Sequence, residues 1–126
     1  MTGGMATILV VDDERTIVET IVELLTWDGH SVAAASNGVR ALEMIAKKKP
    51  DIVLLDFMMP VKDGIETLRA IREVEDTSAL PVIFMTAAPM SIPPNAPRYE
   101  LLLVKPFSVE VLREAIQNVL GPGLRG

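Results

Sequence analysis

Three short apolar runs of this chain each end on a charged residue, and that placement constrains the fold more than any other feature. Ile8-Leu9-Val10-Val11 leads straight into Asp12-Asp13-Glu14. Asp51-Ile52-Val53-Leu54-Leu55 leads into Asp56, and Leu101-Leu102-Leu103-Val104 into Lys105. Buried strands that end in charges deliver them to one edge of a sheet, and in open parallel sheets ligands bind at that edge. Carboxylates gathered there repel one another and need a cation. Lys105 alone is too little, so the residues point to an oxygen-ligand metal site, most simply Mg²⁺.

Between the apolar runs the hydrophobic period changes from strand-like to helical. Thr7 to Val11 is β-branched and apolar, a strand. Ile17, Ile21, Leu24 and Leu25 recur at helical spacing from Arg15 to Trp27, and Asp28-Gly29 stops that helix. Ser31 to Ala35 is a second strand. Ser36-Asn37-Gly38 turns into a helix whose buried face is Leu42, Ile45 and Ala46, ended by Pro50. Asp51 to Leu55 reads as a central strand covered on both faces. Met59-Pro60 and Asp63-Gly64 punctuate the following loop, and Ile65, Leu68, Ile71 and Val74 mark a third helix. Val82 to Met85 and Leu101 to Val104 are the last strands. Ser108 caps a final helix with Leu112, Ala115, Ile116 and Val119 on one face, and Gly121-Pro122-Gly123 ends the fold.

This alternation predicts an α/β domain with a five-stranded parallel sheet, doubly wound, with helices on both faces. One crossover departs from it. Pro89, Pro93, Pro94 and Pro97 lie between Met85 and Leu101, and each proline costs about 3 kcal/mol in a helix interior. A Pro-rich loop is therefore expected in place of the fourth helix.

The 126 residues fit a single domain, 1–126, with its core at about 6–120. No apolar run approaches the roughly 20 residues of a membrane span, so no membrane association is expected. The start lacks the pattern of a secretory signal, and cysteine is absent, which excludes thiolate metal sites and disulfides; a cytoplasmic location is expected. A net charge of −5 argues against direct nucleic-acid binding. The run Lys47-Lys48-Lys49 reads as a helix C-terminus complementing the dipole. His30, the one histidine, reads as a solvated turn residue.

Taken singly, the edge residues are ordinary. Asp12-Asp13 reads as a helix N-cap and its neighbour, Asp56 as a loop acid, Thr86 as a strand-end threonine and Lys105 as an exposed lysine. Together they suit phosphoryl transfer. A metal offsets carboxylate repulsion and neutralises charge on a transferring phosphoryl group. A lysine holds the phosphate as a point charge, a threonine hydroxyl donates to it, and Asp56 can be the nucleophile. There is no Walker phosphate loop and no dinucleotide fingerprint.

These motifs, with Leu54-Leu55-Asp56-Phe57-Met58-Met59-Pro60, Pro81-Val82-Ile83-Phe84-Met85-Thr86-Ala87 and Val104-Lys105-Pro106-Phe107, make the chain resemble the receiver domain of bacterial two-component response regulators. The resemblance runs from about Ala6 to Leu120. It implies the flavodoxin-like strand order 2-1-3-4-5. It implies that Asp56 takes a phosphoryl group from a sensor histidine kinase or phosphotransfer protein. By the same resemblance Asp13 is a direct Mg²⁺ ligand, Asp12 acts through a metal-bound water, and the Met58 carbonyl completes the protein ligands. Lys105 pairs with Asp56 and then with the phosphoryl group, Thr86 turns inward to it, and Ala87 leaves it room. Pro106 follows a cis peptide bond. A downstream protein or a C-terminal effector domain receives the output.

The chain departs from the family at Leu102, where an aromatic residue usually stands three positions before the lysine; Tyr99 is nearby but out of register. The proline-rich crossover is the second departure. A receiver-fold interaction module that does not signal by phosphate is the alternative reading. A metal-dependent phosphohydrolase ranks last, because Met58 stands where such enzymes commonly carry an acid/base carboxyl.

Overall fold

Nine regular elements alternate along the computed structural model, which describes residues 5–59 and 61–121. They are β1 (Thr7–Val11), α1 (Arg15–Trp27), β2 (Ser31–Ala35), α2 (Gly38–Lys47), β3 (Ile52–Asp56), α3 (Gly64–Glu73), β4 (Val82–Thr86), β5 (Leu101–Val104) and α4 (Val109–Leu120). The strands form one parallel sheet in the order β2-β1-β3-β4-β5. The doubly wound, flavodoxin-like architecture is as expected.

The two faces of the sheet carry separate cores, because successive strand side chains point to opposite sides. Ile8, Val10, Ile52, Leu54, Ile83 and Met85 pack on one face with Ile21 and Leu25 of α1 and Leu112 and Ile116 of α4. Leu9, Val11, Val53, Leu55, Val82 and Phe84 pack on the other with Ile45 of α2 and Leu68 and Ile71 of α3. Every residue of β3 is buried, as a central strand covered on both faces must be.

Several local readings shift. β3 runs one residue later than expected, so Asp56 is its last residue, paired with Met85 in the ladder. Asp51 instead accepts the Thr7 N–H at 2.7 Å. In α2, Gly38, Ala41 and Ile45 are buried, Leu42 is half-buried and Ala46 is exposed, because the helix starts at Gly38 and its inner face falls on that phase. Val74 is exposed and ends α3. His30 is half-buried rather than solvated; its Nδ1 accepts the Ala6 N–H at 3.0 Å.

The β4–β5 crossover holds no α-helix. One three-residue 3₁₀ turn, Pro89–Ser91, is its only helical element. Ile92 and Tyr99 pack against the second core in place of a helix face, with the Tyr99 ring 5.0 Å from that of Phe84. The far end is fastened by Arg72. Its guanidinium donates to the carbonyls of Arg98, Ser78 and Leu80 and to Glu100 Oε1, and Glu100 Oε1 also accepts the Val82 N–H. Pro60 and the predicted Pro122-Gly123 end lie outside the described residues. Among the described residues no helix is long and apolar enough to cross a membrane.

Candidate functional site

The parallel order brings four strand ends to one edge. Asp12 follows β1, Asp56 closes β3, Thr86 closes β4 and Lys105 follows β5. Backbone bonds pin them: the Asp12 N–H donates to the Ala35 carbonyl at 3.2 Å, and the Lys105 N–H to the Thr86 carbonyl at 2.8 Å. The Lys105–Pro106 peptide is cis. Gly64, at the start of α3, crosses tightly behind Asp56: a Cβ there would stand 2.8 Å from Phe57 Cα. Asp63 caps that helix in a reciprocal capping box with Glu66.

Lys105 Nζ lies 2.7 Å from Asp12 Oδ2, 2.9 Å from Asp56 Oδ1 and 3.3 Å from Glu14 Oε1. Asp12 and Asp56 are buried, and Asp13 is exposed. The lysine thus joins both buried acids, not Asp56 alone, and it also reaches Glu14, to which the sequence reading assigned no role. Asp12 Oδ1 accepts the Glu14 N–H at 3.0 Å. Carboxylate oxygens of Asp12, Asp13 and Asp56 all lie within 4.8 Å of one another. Such a set of oxygen donors would suit a hard cation such as Mg²⁺, with exposed Asp13 the side chain freest to adjust.

One ammonium among four carboxylates leaves the edge strongly anionic. Burial pushes the Asp56 carboxyl up to about 6 from 3.8, and the charges of Asp12 and Asp13 add to this while the Lys105 hydrogen bond and charge oppose it. Burial disfavours the Lys105 ammonium, but its bonds to Asp12 and Asp56 outweigh that and raise its pKa. The Asp56 carboxyl and the Lys105 ammonium are therefore coupled, and a cation entering among the acids favours ionised Asp56.

Thr86 is buried, its Oγ1 accepting the Ala88 N–H at 2.9 Å, and Ala87 is exposed beside it. Met58 has an exposed side chain two residues beyond Asp56. Leu102 stands in register opposite Phe84, half-buried against the second core.

A family model described as "Response regulator receiver domain" matches residues 8–117. Response regulator MprA of Mycobacterium leprae is 39% identical over 119 residues, covering 90% of this chain and 50% of that protein. MprA of Mycobacterium avium matches with the same identity and coverage. The chain spans about half the length of the curated relatives it matches. Among solved structures, chemotaxis protein CheY4 of Vibrio cholerae superposes with a TM-score of 0.83 at 30% identity, covering 92% of this chain and 99% of that one. The receiver domain of sensor histidine kinase PA1611 of Pseudomonas aeruginosa gives 0.86 at 26% identity, covering 94% and 99%; that structure has a magnesium ion coordinated in its active site cleft.

Proposed function

The chain belongs to the response regulator receiver domain family of bacterial two-component signalling, and on that premise we propose that Asp56 is its phosphoacceptor. The observation that carries this reading is the Lys105 ammonium bridging Asp56 and Asp12 across three strand ends.

An Asp56 carboxylate oxygen attacks the phosphorus of a phosphohistidine on a sensor histidine kinase or phosphotransfer protein. A P–O bond forms, the P–N bond breaks, and the imidazole leaves with a proton from solvent. Lys105 transfers its hydrogen bond from Asp56 Oδ1 to a phosphoryl oxygen. Thr86 turns its hydroxyl inward to donate to another, and the small side chain of Ala87 leaves the group room. Mg²⁺, when bound, neutralises charge on the phosphoryl oxygens. Asp13 and Asp56 would hold it directly, Asp12 through a water, and the Met58 carbonyl would complete the protein ligands.

The domain is a switch rather than a turnover enzyme, and its output goes to a downstream protein or an attached effector domain. Small phosphodonors with Mg²⁺ are expected to add one hydroxylamine-labile adduct to the wild type, read by intact mass, and Asp56→Asn is expected to remove it. The same adduct on Asp56→Asn would overturn the assignment. Leu102 and the missing helix favour a second reading, a receiver fold that binds partners without phosphate; a wild type that takes no adduct would support it.

A further inference from the structure

We propose that Glu14 is a positioning residue that takes over the Lys105 ammonium when a divalent cation claims Asp12; this rests on the Mg²⁺ reading above. Two independent features of Glu14 carry it.

The first is the geometry of the ammonium. Lys105 Nζ has its shortest contact with Asp12 Oδ2 and its longest, 3.3 Å, with Glu14 Oε1 at the mouth of the site. Both oxygens of Asp12 are engaged, one by Lys105 and one by the Glu14 N–H. A cation or its bound water that approaches Asp12 Oδ2 competes there with the lysine. A half-buried ammonium whose bond to Asp12 weakens keeps Asp56 at 2.9 Å, and a further carboxylate offsets the loss. Glu14 already lies 3.3 Å away, and its exposed side chain is free to close the remaining few tenths of an ångström.

The second is what Glu14 does not do. It occupies the N-cap of α1, with φ −88° and ψ 102°, and its side chain makes no cap hydrogen bond. Ser, Thr, Asp or Asn at that position would satisfy an orphan N–H of the first turn. The other helices that start near a loop polar residue do this: Asn37, Asp63 and Ser108 each accept from the third residue beyond them. α1 forgoes the cap, and its N-cap carboxylate reaches across the sheet edge to Lys105 instead.

The exchange makes cation binding cheaper, since Lys105 leaves Asp12 for another carboxylate rather than for water. A mere field effect of the Glu14 charge would also raise cation affinity, and the two are separable with a double-mutant cycle. Mg²⁺ affinity is measured by calorimetry on wild type, Glu14→Gln, Lys105→Met and the double variant. Glu14→Gln is expected to weaken Mg²⁺ about two- to fivefold beside Lys105, the range of an exposed ion pair, and to have no effect in the Lys105→Met background. Equal losses in both backgrounds would overturn the proposal and leave the Mg²⁺ site intact. No saturable Mg²⁺ binding by wild type would overturn both.

Two further readouts do not depend on Lys105→Met folding. The ¹⁵N-labelled Lys105 ammonium signal should stay protected from exchange in the Mg²⁺-loaded wild type and be lost in loaded Glu14→Gln; loss in both would refute the takeover. Glu14→Ser should raise the thermal midpoint by supplying the missing cap while lowering Mg²⁺ affinity. A gain in both would refute it as well.

Discussion

The Thr86 hydroxyl oxygen accepts the Ala88 N–H at 2.9 Å, a bond that ties the sheet edge carrying Asp12, Asp56 and Lys105 to the first residues of the irregular crossover. A hydroxyl that turns to donate to a phosphoryl oxygen on Asp56 releases that N–H. The far end of the crossover cannot follow, because Arg72 holds Arg98 and Glu100. With Leu102 opposite Phe84, no aromatic ring stands at that position to move with Thr86. Beryllofluoride with Mg²⁺ is therefore expected to shift the amides from Ala87 to Ser91 and speed exchange at Ala88. The Glu100 amide, bonded to the Val82 carbonyl at 2.8 Å, should stay protected. Unchanged loop shifts at saturating mimic would exclude this output.

Asp12 and Asp13 should separate cleanly on replacement. Asp13→Ala is expected to lower Mg²⁺ affinity about 10- to 100-fold, as loss of a direct ligand or its close support does, and to change stability by less than about 0.5 kcal/mol because the residue is exposed. Asp12→Ala should cost less affinity but about 1–3 kcal/mol of stability, since Asp12 holds the Lys105 ammonium and the Glu14 N–H. Calorimetry and denaturant unfolding on the same two variants check both halves. The reverse ranking would mean that Asp12 is the direct ligand.

Arg72→Ala should destabilise the fold by about 2–3 kcal/mol, because three backbone carbonyls and Glu100 lose their donor together. Arg72→Lys should recover little of it, as an ammonium cannot span partners that a planar fork reaches at once. Urea unfolding decides this. A near-neutral Arg72→Lys would show that charge alone secures the crossover.

His30 should make stability fall in mild acid. Burial lowers its pKa, with the Asp28 charge opposing, and its neutral Nδ1 accepts the Ala6 N–H. A folded pKa depressed below the ordinary 6.5 means the unfolded chain takes the proton more readily. The stabilisation is therefore complete above that value and lost as pH falls through the folded pKa. The stability difference between wild type and His30→Gln should shrink as the pH falls from about 8 through the folded pKa, by no more than about 1 kcal/mol, the worth of one hydrogen bond. A difference that grows on acidification would contradict the bond.

Much of the fold was legible because it is written in local pattern. β1, α1, β2 and β5 have the bounds their periodicity indicates, since apolar spacing and the stop at Asp28-Gly29 act within a few residues. The prolines at 89, 93, 94 and 97 were enough to exclude the helix between β4 and β5. The α2 face was misread at Ala46, because in a ten-residue helix a small phase error moves a residue from core to solvent. Glu14 stood in plain view beside Asp12 and Asp13, but no local signal marks a carboxylate whose partner lies 91 positions away. The Arg72 fastening was equally invisible, because its partners belong to two separate loop segments, one at Ser78 and Leu80 and one at Arg98 and Glu100.

By itself, then, the sequence determined the elements, their alternation and the delivery of Asp12, Asp56, Thr86 and Lys105 to strand ends. Short-range sterics and hydrophobic period decide those matters. Only the tertiary structure decided that Lys105 is shared by Asp12, Asp56 and Glu14, that Asp12 is buried while Asp13 is exposed, and that Thr86 is bonded to its own loop. Those outcomes depend on differences of less than an ångström between groups on different strands. Such distances exist only once the sheet has set the register of β1, β3, β4 and β5.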